Sequence, residues 1–250
     1  MLIKELDWLS DATINFAKKP EYRRFDSKGK LIVIHSLRSA LSFVGVESLR
    51  ILLPALIAKR SIPPKSVLFP ELHKNIWEYT LGTGKACRAI AEKEGMKWYL
   101  GYNIGLLSTI GRSAVTTMYL KAFDGKLREK LIQAQKKKDP TEAEALNTLV
   151  PSHKYLISMW HTYADHLTND LVASLKCRWL MVGIGFEDYT RIKEISFAHV
   201  KANNLHPLTS LLFRCQGFLQ FKMMKANNLI SKEASMLYLR NFGIVSDDVI

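Results

Sequence analysis

Helical periodicity, interrupted at short intervals by glycine and proline, constrains this 250-residue chain more than any other feature. In residues 37–44 the apolar side chains recur at i, i+3, i+4 and i+7, the spacing that places them on one face of an α-helix. Gly45 follows, where a left-handed backbone turn would end that helix. Only residues 31–34 resemble a strand, and they are too few to predict a sheet. The sequence therefore predicts an all-α protein.

The same periodicity, together with the glycines and prolines that interrupt it, predicts a series of helices along the chain. Residues 36–60 are predicted to form two short packed helices, with the apolar spacing of the second running to Pro54 and a definite break at Ile62-Pro63-Pro64. Further helices are predicted at residues 70–94, 99–120, 155–175, 186–202, 206–226 and 231–241. Gly95 should end the first of these, and the turn sequence Phe123-Asp124-Gly125 should end the second.

Small residues are unusually dense within the predicted 70–94 helix. They are Gly82, Thr83, Gly84, Ala86 and Ala89. Because each glycine weakens a helix by up to about 1 kcal/mol, their presence predicts that another helix crosses here at close range. Residues 82–85, Gly-Thr-Gly-Lys, also resemble a phosphate-binding loop, but Tyr79 stands where that motif needs its first glycine. A helix interior has its amides already bonded, so the structural interpretation is preferred.

Composition limits the class of protein and the kind of partner. With 48% hydrophobic residues the chain can bury a substantial core, and we expect one domain spanning residues 1–250. The polar connection at residues 136–140 would divide it into lobes 1–138 and 139–250. Thirty-six Lys and Arg against 23 Asp and Glu give a formal charge of +13. Such an excess favours contact with an anionic partner, whether nucleic acid, phospholipid or acidic protein.

The cysteines and the N-terminal sequence indicate a cytoplasmic protein. Cys87, Cys177 and Cys215 are odd in number and form no Cys-x-x-Cys pair, which favours buried, reduced thiols. The first residues lack the basic start and apolar core of a signal peptide. Residues 31–58 are apolar but carry interspersed charges, so they predict core helices and not a membrane span. No membrane partner and no cofactor are expected.

One cluster of side chains calls for a test as a metal site. His161 and Asp165 are four residues apart and would share one face of a helix, and both side chains can bind zinc or iron. His166 is rotated by about 100 degrees from Asp165, so a single helix supplies at most two good ligands. No third ligand can be named from the sequence. A pair of surface polar residues is therefore the favoured interpretation.

Basic residues cluster near the N-terminus at Lys18, Lys19, Arg23 and Arg24, beside the aromatic Tyr22 and Phe25. Cations interleaved with aromatic rings could contact nucleic acid through phosphate pairing and stacking. A solvated helix face explains the same residues and is favoured, because no nucleic-acid-binding motif accompanies them. These four cations remain candidate contacts for a partner or an anion.

Two stretches read together resemble the HDOD family, a non-enzymatic relative of the HD phosphohydrolases found mostly in bacterial signalling proteins. The first, residues 36–50, reads SLRSALSFVGVESLR and is similar to the family's Ala-Leu helix, glycine turn and Leu-Arg helix. The second runs from the Leu-Trp helix at residues 72–79, through the Ala-rich face at 86–91, to Gly-Leu-Leu-Ser-Thr-Ile-Gly at 105–111. The resemblance implies an all-α, multi-helix HD-like bundle.

The resemblance also implies a degenerate metal site. Catalytic HD enzymes carry a histidine in the Trp helix and a His-Asp pair before the Ile-Gly of the second stretch. Tyr79 stands near the first of these positions, and Ser108 and Thr109 stand at the pair. Neutral hydroxyls cannot replace an imidazole and a carboxylate as ligands for a divalent ion. Without the metal there is no activated water, so we expect no phosphoester hydrolysis by this route.

The function that follows is a regulatory protein-interaction domain in signal transduction. A divergent metal-dependent phosphohydrolase and a basic nucleic-acid-binding protein stay open as alternatives. The family usually opens with further helices that carry Asp-Pro and Asn-Ser elements, and these are missing here. Either the N-terminus is shortened or this branch of the family has diverged, and residues 2–24 would then correspond to the last helix of that opening part.

Overall fold

A computed structural model describes residues 6–66, 69–175, 206–242 and 244. Within these ranges the secondary structure is helical, and the only β pairing is a single antiparallel bridge between Phe25 and Leu31. The all-α prediction is therefore confirmed. The helix predicted at residues 186–202 and the thiol of Cys177 lie outside the described residues.

The N-terminal elements pack as a small helical layer. Helix α1 spans Asp7–Ala17, a 3-10 turn spans Pro20–Tyr22, α2 spans Leu37–Val44 and α3 spans Val46–Ser61. The hydroxyl of Ser36 caps α2 by accepting a hydrogen bond from the Ser39 amide, and Gly45 ends it with φ of +76°. The two predicted helices are confirmed, although α3 continues through the buried Pro54 to Ser61.

The central elements are α4, Leu72–Lys93, α5, Trp98–Leu107, and α6, Ile110–Lys137. Gly95 ends α4 with φ of +70°, as predicted. The single helix predicted at residues 99–120 is wrong, because Ser108 and Thr109 separate α5 from α6. The predicted stop at Phe123-Asp124-Gly125 is also wrong, since α6 runs through it. Ion pairs between Arg128 and Asp124 and between Lys126 and Glu129 support the helix there.

The remaining helices complete the bundle. They are α7, Pro140–Asn147, α8, His153–Met159, α9, Asp165–Ser174, α10, Pro207–Ala226, and α11, Lys232–Asn241. A π-helical turn, Trp160–Ala164, joins α8 to α9 inside the helix predicted at residues 155–175. The carboxylate of Asp139 caps α7 by accepting from the Glu142 amide at 3.0 Å.

The main core lies where α4, α5, α9 and α10 meet. Its buried members include Cys87, Ile104, Leu107, Val172 and Leu211. A second cluster joins α1 to α2 and α3, and a third joins α10 to α11. In the described ranges no single helix is long and apolar enough to cross a membrane, and only α2 and α3 together, bent by 114°, meet that length and composition.

Candidate functional site

The geometry of the central site depends on the close crossing of α4 and α5. A Cβ atom on Gly105 would lie 2.7 Å from Cα of Gly84 and 2.7 Å from the carbonyl oxygen of Thr83. A Cβ atom on Gly101 would lie 2.6 Å from the carbonyl oxygen of Cys87. The close crossing predicted from the small residues is confirmed. The Gly-Thr-Gly-Lys segment lies inside α4, so its glycines serve helix packing.

This crossing brings the junction of α5 and α6 against the middle of α4. The Thr109 hydroxyl lies 2.6 Å from the Thr80 hydroxyl, and both side chains are buried. Thr80 donates to the carbonyl oxygen of Ile76 at 2.7 Å. The alternative acceptor for Thr109, the Leu106 carbonyl oxygen, is 3.4 Å away, so we assign Thr109 as the donor between the two hydroxyls. The neighbouring Ser108 is also buried and donates to the carbonyl oxygen of Gly105 at 2.7 Å. We call Thr80, Ser108 and Thr109 the hydroxyl centre.

Tyr79 belongs to a different polar cluster, between α4, α6 and α10. Its phenol accepts a hydrogen bond from Nε2 of Gln220 at 3.3 Å, and Oε1 of Gln220 accepts one from the Tyr238 hydroxyl at 3.0 Å. The Arg112 guanidinium lies 5.7 Å from the centre of the Tyr79 ring. Burial raises the pKa of the Tyr79 phenol above its usual 10.0, and the nearby Arg112 and the Gln220 hydrogen bond only partly oppose this.

The structure therefore divides the three positions singled out from the sequence. Ser108 and Thr109 lie together in the hydroxyl centre, whereas the hydrogen bonds of the described residues do not join either of them to Tyr79. The residue of α4 that faces Thr109 is Thr80, one position further along the helix. Sequence reasoning missed Thr80 because it lies among the apolar positions of α4. The one available signal was a hydroxyl-bearing side chain at a position of that apolar face.

The hydroxyl centre has limited chemical capacity. Its three side chains are uncharged, and each donates to a hydroxyl or a helix carbonyl within the protein. Within the part of the chain that the structure describes, no group of three or more His, Cys, Asp and Glu side chains is placed to hold a metal ion. Hydroxyl oxygens without a carboxylate or imidazole are weak ligands for a divalent cation.

The other candidate ligands lie around the π-helical turn. His161 and His166 are exposed, whereas Asp165 is partly buried and opens α9. The π turn, with its wider i to i+5 bonding, changes the angular spacing assumed when His161 and Asp165 were placed on one face. The turn packs against α6 at Gly111, whose amide donates to the Thr168 hydroxyl at 3.0 Å.

Two of the cysteines lie in the main core. Cys87 on α4 and Cys215 on α10 are both buried and free, which confirms the predicted buried thiols at these two positions. Burial raises the pKa of the Cys87 thiol well above 9.0, and its contact with Cys215 adds to that effect. A thiol held protonated in this way is a poor nucleophile, so the pair serves core packing.

An apolar pocket opens on the surface between the start of α4 and α8. Its volume is about 370 Å³, and its apolar lining comes from Phe69, Leu72, Leu156, Ile157 and Trp160. The His153 ring meets the Phe69 ring edge to face at 4.7 Å between centroids. Ile157 on the pocket wall is 48% exposed. A pocket of this size and composition suits a side chain of a partner or a small apolar ligand.

The basic residues predicted as contacts lie away from these features, on the connection from α1 to α2. Lys18, Lys19, Arg23 and Arg24 are all exposed. The Lys19 ammonium lies 4.5 Å from the centre of the Phe16 ring, and the Arg24 guanidinium lies 5.1 Å from that of Phe43. Packing on the rings holds both cations in place near the surface.

Short helices that cross closely around a buried hydroxyl centre, in a chain with no strand in its described ranges, define an all-α helical domain. The model of the HDOD domain family matches residues 30–162, just over half of the chain, and the protein therefore belongs to the HDOD family. No curated protein and no solved structure matches the chain.

Proposed function

We propose that this HDOD domain is a non-enzymatic regulatory module that binds a protein partner in cytoplasmic signal transduction. The observation that carries the proposal is the hydroxyl centre, where the Thr80 and Thr109 side chains bond to each other at 2.6 Å in the interior. In the catalytic HD enzymes that the family resembles, this region holds an imidazole and a carboxylate on a metal. Neutral hydroxyls bonded within the protein leave no strong ligand there.

The proposed function is then the recognition of a protein partner by the surface of the domain. The pocket between α4 and α8 offers a concave apolar site of about 370 Å³, and Ile157 on its wall is exposed. Interfaces are anchored by apolar and aromatic side chains that fill such pockets, surrounded by a more polar rim. We therefore place the partner contact at Ile157 and Trp160, on the wall of this pocket.

Metal analysis tests the non-enzymatic part of the proposal. The full chain, purified without chelator and then incubated with Mn²⁺, Fe²⁺ or Zn²⁺, should retain less than stoichiometric metal after gel filtration. It should not hydrolyse cyclic dinucleotides or other phosphodiesters. Stoichiometric metal together with hydrolysis that Thr109→Ala removes would identify a divergent phosphohydrolase instead.

A variant that adds metal-ligating side chains also tests the non-enzymatic part of the proposal. The double variant Ser108→His/Thr109→Asp restores one imidazole and one carboxylate, but α4 contributes no ligand nitrogen at Tyr79 or Thr80. We expect no hydrolysis, because a catalytic metal needs about three protein ligands. Turnover by this variant would mean that the rest of a metal site is intact.

A pair of matched variants tests the partner site. Ile157→Asp places a charge on the pocket wall, while Leu237→Asp places the same charge at an exposed apolar position on α11. A partner captured by the wild-type chain and then purified should bind Leu237→Asp normally and Ile157→Asp at least about ten-fold more weakly, which is the loss of one anchor residue. Equal binding to both variants would exclude this pocket as the contact.

A further inference from the structure

A short hairpin connects α1 to α2, and we call residues 23–33 the basic hairpin. Phe25 and Leu31 form its antiparallel bridge, and the Ile32 amide donates to the Arg24 carbonyl oxygen at 2.9 Å. At the tip the Asp26 carboxylate accepts from the amides of Lys28 and Lys30 at 2.9 and 2.8 Å. These bonds fix the turn, so the hairpin is ordered before it meets any partner.

The hairpin has an anchored face and an outward face. Residues paired across a bridge share one face, and side chains alternate along each arm, so Phe25, Leu31 and Val33 lie on the same side. Ile34 points the other way and is buried at 3% exposure in the second core cluster. On the anchored side Arg24 also packs over the Phe43 ring. Phe25 and Val33, in contrast, are 64% and 59% exposed.

Positive charge without ion-pair partners lies within and next to the basic hairpin. Lys18, Arg23, Lys28 and Lys30 are exposed, and none of the four forms a salt bridge in the described part of the chain. Glu21 and Asp26 are the only acidic residues between positions 18 and 33. The Asp26 carboxylate is already bonded to two amides. The hairpin therefore presents apolar side chains with a cationic border.

We propose that the basic hairpin docks this protein on the surface of an anionic phospholipid membrane. Phe25, Leu31 and Val33 would enter the boundary between head groups and acyl chains, and the surrounding cations would pair with lipid phosphates. Lipid suits this face better than nucleic acid does, because two of its three apolar side chains are aliphatic and cannot stack on bases as aromatic rings do. This peripheral contact departs from the expectation, drawn from the sequence, that no membrane is involved.

The proposal is independent of the partner pocket and of the HDOD match. Residues 18–29, with most of the cations, precede the matched segment at 30–162. Each cation close to an anionic membrane is worth roughly five-fold in affinity, and the contribution falls with ionic strength.

Vesicle sedimentation tests the proposal with the full chain. The protein should bind vesicles of phosphatidylcholine mixed with phosphatidylglycerol and should not bind vesicles of phosphatidylcholine alone. Lys28→Glu/Lys30→Glu should weaken binding by at least about thirty-fold, because two favourable charges are lost and two repulsive ones are gained. Lys121→Glu/Lys136→Glu makes the same charge change at exposed positions on α6 and should leave most of the binding intact.

The apolar contribution is tested separately. Phe25→Ser/Val33→Ser should reduce binding to anionic vesicles by at least about ten-fold, whereas Leu229→Ser/Leu237→Ser, at other exposed apolar positions, should not. Circular dichroism confirms that each variant is folded, and Phe25→Trp gives a further readout, since its fluorescence should shift to the blue on anionic vesicles. Equal binding to neutral and anionic vesicles, no binding to either, or equal losses in the control variants would overturn the proposal. Binding of single-stranded oligouridylate without vesicle binding would also overturn it and would identify nucleic acid as the partner.

Discussion

At the scale of single residues, the most informative feature is the asymmetric bond between Thr80 and Thr109. Thr80 has a second partner in the Ile76 carbonyl at 2.7 Å, whereas the second acceptor that the described residues offer to the Thr109 hydroxyl is the Leu106 carbonyl at 3.4 Å. Removing the Thr80 hydroxyl should therefore affect stability differently from removing the Thr109 hydroxyl. A buried donor that loses its acceptor is more costly than an acceptor that loses its donor and keeps its own bond.

Valine substitutions measure this asymmetry. Thr80→Val should lower the free energy of unfolding by about 1–3 kcal/mol, because it leaves the Thr109 hydroxyl with only a long contact. Thr109→Val should lower it by about 1 kcal/mol, since Thr80 still donates to Ile76. The double variant should lose less than the sum of the two in urea unfolding. Additive losses, or a larger loss for Thr109→Val, would contradict the assigned direction of the bond.

The buried phenol of Tyr79 predicts a loss of stability at alkaline pH. Its pKa is raised above 10.0 in the folded protein, so its contribution is complete below pH 10.0 and decreases as the pH rises toward the raised value. Tyr79→Phe should lower stability at neutral pH by about 1 kcal/mol, because the Gln220 bond is lost. The same variant should show a shallower decline above pH 10.0. An unchanged alkaline slope in thermal unfolding would show that the phenol ionises freely.

At the scale of elements, packing at glycines sets the arrangement of α4, α5 and α6. Gly105 meets the backbone of α4 directly, which is possible only because neither Gly105 nor Gly84 has a side chain at the crossing. Gly125 lies within α6 as well, but an added Cβ there would meet nothing within 4 Å. Gly105 is therefore required by helix packing, whereas Gly125 is not.

Alanine substitutions distinguish these two glycines. Gly105→Ala should lower the free energy of unfolding by about 1–3 kcal/mol or more, since α4 and α5 must separate to admit the methyl group. Gly125→Ala should raise it by about 0.5–1 kcal/mol, because alanine favours the helix and space is available. Chemical denaturation of both variants gives the comparison. A neutral Gly105→Ala would mean that the crossing is looser than the structure shows.

At the scale of the whole molecule, the net charge of +13 opposes the compact state. Most of the described salt bridges join residues three or four apart on exposed helix surfaces, as in the Arg88–Glu92 pair, and such pairs contribute little. The Arg214–Glu94 pair, at 2.6 Å, links α10 to the end of α4, and the Lys137–Glu142 pair, at 3.6 Å, links α6 to α7. Repulsion among the excess cations should therefore outweigh attraction in the response to salt.

Thermal unfolding at increasing NaCl concentration tests this balance. Screening of the net charge should raise the midpoint by about 2–4 °C for each kcal/mol of repulsion removed. A charge-reduced variant, Lys121→Gln/Lys136→Gln, should start from a higher midpoint at low salt and respond less. A midpoint that falls as NaCl is added would show that ion pairs dominate the electrostatics instead.

The sequence by itself determined the fold class, most helix positions, the HDOD family and the close helix crossing. These follow from local patterns, because apolar spacing, the glycines at positions 45 and 95, and the dense small residues of α4 act within one or two helical turns. The break at Ser108 and Thr109 was decided by tertiary packing against α4, whereas ion pairs between residues three and four apart support α6 through Gly125.

Only the tertiary structure decided which side chains meet. Adjacent residues on a helix differ by about 100 degrees in direction, so the choice between Tyr79 and Thr80 as the neighbour of Thr109 depends on how α4 is rotated against α5. The basic hairpin was likewise visible only in the tertiary structure, because a single bridge leaves no periodic signal in the sequence. Its outward apolar face exists because Ile34 and Arg24 anchor the opposite face to the second core cluster and to Phe43.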